Sequence, residues 1–232
     1  MRSGTPRARR DPTRRRLIRL YAALLRRFGP QEWWPGESGI EIAVGAILTQ
    51  NTAWANVERA LRRLKSHRLL TARRLLSLPE SRLARLIRPS GTFKVKARRL
   101  KAFLRFLHER YADRLQGMAR APLPLLRREL LQVHGIGPET ADSILLYAAG
   151  RPSFVVDEYA RRVLARHRLT RPGIDYESLQ KLFTSRLPRD PALFNEYHAL
   201  LVRVGKVYCR RRTPRCAECP LRFDLRGKPP RL

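Results

Sequence analysis

Apolar side chains recur at spacings of three and four along nearly the whole of this 232-residue chain, and no stretch alternates apolar and polar residues long enough to build a sheet. That pattern selects an all-α fold of about ten helices. The segment IEIAVGAILTQ, residues 40–50, is apolar on almost every side and is expected as a central buried helix. Residues 13–29 place Leu17, Leu20, Tyr21, Leu24, Leu25 and Phe28 on one face, and Gly29-Pro30 ends the helix. TARRLLSLPESRLARLIRPSG predicts two short helices broken at Pro79, and KVKARRLKAFLRFLHERYA a long basic one. A further helix starts near Asp157, and YESLQKLFTSRL and PALFNEYHALLVRVGKVYC predict two more. There is no internal repeat and no apolar run of about 18 residues that could span a bilayer.

Charge narrows the partners. Lysine and arginine total 50 against 19 acidic residues, a net charge of +31. A charge of that size repels itself unless a polyanion is near, so nucleic acid is the leading partner and an anionic membrane surface the rival. Only seven of the basic residues are lysines; 43 are arginines, which suit phosphate. GC-rich coding accounts for that excess equally well without cancelling the charge. MRSGTPRARRDPTRRR has no apolar segment behind it and is not a secretory signal, so residues 1–12 are expected to be a disordered basic arm. The three cysteines all fall between 209 and 219 and make no disulfide framework, which points to a reducing, cytoplasmic, nucleoid-associated setting.

Residues 134–142, HGIGPETAD, carry the most specific chemistry. One helix ends near Leu130, Leu131 and Val133, and Pro138 opens the next at the first helical position, where its missing N–H costs nothing. Gly135 and Gly137 permit positive φ and a close backbone approach to a ligand. The N–H groups of the turn and of the following helix then face an anion. An ordinary corner between two helices would use the same glycines for tightness. Thr140, Ala141, the apolar flanks and the chain's charge favour a helix-hairpin-helix clamp on a DNA phosphate.

VHGIGPETADSILLYA with FVVDEYARRVL, GAILTQNTAW and HALLVRVGKVYCRRRTPRCAECP resembles the helix-hairpin-helix DNA glycosylases, the endonuclease III superfamily, over roughly residues 30–220. The resemblance implies two helical lobes with double-stranded DNA lying across the cleft between them. One lobe is a helical barrel over 41–151, the other residues 13–40 plus 152–232. It implies that Asp157 is the catalytic carboxylate, orienting or deprotonating water and stabilising an oxocarbenium sugar. The plainer role of an Asp ahead of a helix is an N-cap, and the two roles are compatible. Bifunctional relatives carry a lysine where this chain has Glu139. A carboxylate cannot form the Schiff base, so no lyase activity is expected unless another lysine substitutes.

Trp33, Trp34 and Pro35, with Trp54, resemble the 3-methyladenine DNA glycosylase III subgroup, where such residues line the base pocket. Indole faces attract cationic rings, and methylated purines are cationic with weakened glycosidic bonds. All three tryptophans could instead be plain core. By the same resemblance Gln50 enters the gap left by a flipped nucleotide, Lys206 lies near the pocket, and Gly135, Ile136, Gly137 and Thr140 hold DNA. Cys209, Cys216 and Cys219 copy the first three positions of the family's iron–sulfur motif. Leu225 stands where the fourth cysteine belongs, and Asp224 beside it is a hard oxygen donor. A 4Fe–4S cluster is therefore not expected, and catalysis requires no cofactor. The expectation is a monomeric, monofunctional glycosylase for alkylated purines such as 3-methyladenine. The alternatives are an endonuclease III-like enzyme for oxidised or mismatched bases, with or without lyase activity, and a non-catalytic DNA-binding module.

Overall fold

The computed structural model describes residues 11–230, which contain twelve α-helices and no strand. The all-α class follows from the apolar periodicity. The chain divides into two units, one running to Trp33 and resuming at Phe154, the other Trp34–Ser153.

In the Trp34–Ser153 unit, α2 (Gly39–Leu48) is the centre. Ser38 caps it by accepting from the Glu41 N–H at 3.2 Å, and Ala43 through Leu48 are all buried. Around it pack α3 (Trp54–Ser66), α6 (Phe93–Tyr111), α9 (Pro138–Ser143) and the π-turn Ile144–Ala148 that prolongs α9. The short α4 (Ala72–Ser77) and α5 (Glu80–Leu86) are split at Pro79 and lie against α6. Gly39 makes this packing possible, since a Cβ there would come within 2.7 Å of Leu115 and 3.0 Å of the Ala148 carbonyl. The sequence reading runs from α6 straight to α8 (Leu123–Gln132) and misses α7 (Leu115–Arg120). That helix buries only Leu115 and Met118, too few positions to show a period.

Two buried lysines on α6 bind other helix ends. Lys96 donates to the carbonyls of Leu48 at 2.8 Å and Ser90 at 2.5 Å, and Lys101 donates to those of Leu76 and Leu78. Each satisfies two carbonyls at the close of a helix or turn, which buried backbone demands. Burial and the Arg99 charge bring Lys96 down to about 8.

The other unit is built from α1 (Pro12–Phe28), α10 (Glu158–Arg166), α11 (Tyr176–Thr184) and α12 (Pro191–Val207). Its core stacks Phe154 on Phe183 at 3.8 Å, with Phe194 and Tyr197 edge-on to Phe154. α12 packs against both α1 and α10. The basic arm expected over 1–12 lies outside the described residues up to position 10, and its last two positions do not fit the expectation. Asp11 accepts from the N–H groups of Thr13 at 2.9 Å and Arg14 at 3.1 Å, so helix α1 begins at Pro12. An Asp–Pro pair is a strong start signal, and the arginines after it do not outweigh the cap.

Candidate active site

The hairpin follows from its own residues. Gly135 takes φ +81°, closing the chain after α8, and the Arg99 side chain lies where its Cβ would be, Cγ only 2.2 Å away. Gly137 has open space around it, and Pro138 starts α9. Behind the turn Arg127 of α8 forks onto Asp142 of α9 at 2.9 and 3.0 Å, and Ser153 donates to the same carboxylate at 2.5 Å. Asp142 is fully buried, so this bidentate pair fixes the two arms of the hairpin against each other. Glu139 stands exposed in the first turn of α9, where the helix dipole favours a carboxylate.

Three of the residues assigned to DNA are hydrogen-bonded together here. Gln50 Nε2 donates to the Gly135 carbonyl at 3.0 Å and to Thr140 Oγ1 at 2.9 Å, while its Oε1 accepts from Arg99 at 2.5 Å. The amide is thus committed to the hairpin, and entering a duplex requires exchanging those bonds. Ile136 differs from its expected part. Its side chain is in the core and its N–H donates to Val133 at 3.0 Å, so any anion would meet the amides of the glycines and of the first turn of α9.

Trp34 meets Trp54 edge-on at 5.1 Å and Tyr147 at 5.1 Å, tilted by 43°. Gly45 on α2 opens the space for Trp34, whose ring lies 3.3 Å from the position a Cβ would take. Both indoles are half-buried against the core, neither sealed in it nor fully exposed. Pro35 is exposed. Trp33 falls within the other unit, as does Lys206, which is exposed near the end of α12. Tyr147 is the member the sequence did not reveal. In ILLYA it reads as one more apolar position of a buried helix.

Asp157 caps α10, its Oδ1 accepting from the Ala160 N–H at 2.7 Å. The extended residues before it are stapled by α11, where Gln180 donates to the Phe154 carbonyl at 2.8 Å and the Val156 N–H reaches the Tyr176 hydroxyl at 3.3 Å. Oδ2 lies 3.6 Å from Nε2 of His198 on α12, a residue not singled out from the sequence. Burial pushes the Asp157 carboxyl up, but the His198 charge and the cap N–H groups outweigh it and hold the group below the usual carboxylate range. The carboxylate is ionised, rigid and nearly enclosed, which suits it to hold a water or face a developing cation.

Residues 44–189 match the HhH-GPD superfamily of base excision DNA repair proteins. The chain belongs to that superfamily. It is a DNA glycosylase of base excision repair. A relative from Methanocaldococcus jannaschii, MJ1434, whose name describes a DNA repair glycosylase, is 43% identical over 208 residues, covering 89% of this chain and 94% of its own. A thymine-DNA glycosylase of Aeropyrum pernix is 28% identical, covering 91% and 92%. Among solved structures, the Helicobacter pylori 3-methyladenine DNA glycosylase MagIII bound to 1,N6-ethenoadenine superposes with a TM-score of 0.71. It is 27% identical and covers 84% of this chain and 97% of that one.

The cysteine tail lies beyond the residues that match the superfamily. Cys209, Cys216 and Cys219 are free thiols lining one cavity together with His167 and Leu225. Burial pushes Cys219 up to about 11 and raises Cys216. Asp224 is already held by Arg16 at 2.6 Å from both carboxylate oxygens and by His167 at 2.9 Å. Three thiols, a leucine and a committed carboxylate do not supply four thiolates, and no group of three or more potential ligands among the described residues could hold a metal ion.

Proposed function

We propose that this glycosylase hydrolyses the N-glycosidic bond of alkylated purines in duplex DNA and lacks lyase activity. The aromatic set of half-buried Trp34 and Trp54 with buried Tyr147 carries the reading. Indole and phenol faces attract a ring bearing positive charge, worth about 0.5–2 kcal/mol each, and methylation supplies that charge. The same charge weakens the bond to be broken, so an activated water suffices. Asp157 accepts a proton from that water as oxygen bonds to C1′ and the base leaves with the glycosidic electron pair. The hairpin amides at Gly135 and Gly137, with Thr140, hold a phosphate, and Gln50 replaces the extruded nucleotide. Glu139 offers no amine, and Lys96 and Lys101 are buried on backbone carbonyls rather than available to attack a sugar. The MagIII complex with an adenine adduct supports a modified purine as ligand.

The test is a panel of duplexes carrying 3-methyladenine, 7-methylguanine, 1,N6-ethenoadenine, uracil and thymine glycol, scored for free base. Release of alkylated purines is expected, with Asp157→Asn slowing single-turnover release of the least labile base by about 10²–10⁴-fold. Release confined to pyrimidines, or a borohydride-trapped adduct on abasic-site DNA, overturns the proposal.

A further inference from the structure

We infer that His198 is a positioning residue for the Asp157 carboxylate. The inference rests on the reading that Asp157 drives base release. Two carboxylate oxygens must be held for the group to present one fixed face. The cap from Ala160 holds Oδ1 at 2.7 Å, and the imidazole Nε2 stands 3.6 Å from Oδ2. That distance is longer than a hydrogen bond and within ion-pair reach, so the contact guides the oxygen without occupying all its lone-pair directions. Both side chains are nearly enclosed, exposed by 7% for His198 and 14% for Asp157, so solvent screens the pair little.

The imidazole is itself held in place. His198 and Gly205 lie two turns apart on one face of α12, the face that meets α10. Gly205 allows that approach, because a Cβ there would stand 2.5 Å from the Tyr159 ring of α10. Phe154, stacked on Phe183, sets its ring edge-on to the imidazole at 6.5 Å. The helix that begins at Asp157 and the helix that carries His198 are thus packed in one register, and sliding either would separate the pair. The lowering of the Asp157 pKa by the His198 charge is consistent with the same contact.

The experiment compares full-length wild type with His198→Leu, His198→Gln and Asp157→Asn on duplexes carrying 1,N6-ethenoadenine or 7-methylguanine, under single turnover. His198→Leu is expected to slow release about 10–100-fold on 1,N6-ethenoadenine, less on the more labile 7-methylguanine, with DNA affinity unchanged. His198→Gln, which keeps a polar N–H at similar reach without the charge, is expected to recover only part of the rate. A Leu variant as fast as wild type overturns the inference. So does a Gln variant as slow as Leu with the same loss of Tm, since that outcome means packing alone. If Asp157→Asn is also fully active, or wild type releases neither base, the underlying reading fails instead.

Discussion

Gly135 and Gly137 sit one residue apart and do different things. Gly135 is needed by the protein, because φ is +81° and a methyl would strike the Arg99 side chain that binds Gln50. Gly137 has an ordinary φ of −88° and empty surroundings, so the protein itself has no use for a missing Cβ there. A ligand does. Gly135→Ala is expected to cost about 1–2 kcal/mol of stability from backbone strain alone, read as a lower denaturation midpoint. Gly137→Ala is expected to leave that midpoint unchanged while weakening binding to undamaged duplex about tenfold, measured by anisotropy, because the methyl meets the phosphate. Unchanged binding in Gly137→Ala would remove the hairpin from the DNA contact. The glycines were legible in the sequence, but their division of labour was not, since it depends on an arginine that α6 brings in from elsewhere in the chain.

At the scale of elements, the C-terminal segment after α12 has little helix of its own and is tied down by long-range polar contacts. Arg166 of α10 donates to the carbonyls of Arg210 and Arg211 and to Cys209 Sγ, and Arg162 to the Cys209 carbonyl. Asp224 joins the segment to Arg16 of α1 and to His167. Burial pushes the Asp224 carboxyl up, but the His167 and Arg16 contacts outweigh it and bring it down to about 2, from an ordinary 3.8. A folded-state value below the unfolded one means the carboxylate stabilises the fold above the ordinary pKa, and that this is lost as pH falls toward 2. Asp224→Asn is therefore expected to lower Tm by about 5 °C at pH 7, with the gap to wild type closing between about pH 4 and pH 2. A gap that persists at the acid end would show that shape, not charge, anchors the segment. The sequence exposed the missing fourth cysteine at Leu225 but not what Asp224 does, because its partners lie on α1 and just beyond α10.

For the whole molecule, the charge of +31 sets how it meets DNA. Neutralising about four phosphates releases counterions enough to weaken binding roughly 100-fold between 50 and 200 mM salt, for damaged and undamaged duplex alike. A salt-independent affinity would mean that the surplus charge is not used on phosphate. The sequence by itself determined the all-α class, most helix limits, the cap at Asp157 and the hairpin turn, because each is written in residues within a few positions of one another. Among the described residues no helix is long and apolar enough to cross a membrane, which composition alone also indicated. Tertiary structure decided the rest. It set Tyr147 beside Trp34, parked Gln50 on the hairpin, buried Lys96 in a helix that reads as basic, and brought His198 to Asp157. These pairs are distant in the chain, and side-chain periodicity says which face of a helix is buried but not which helix will cover it.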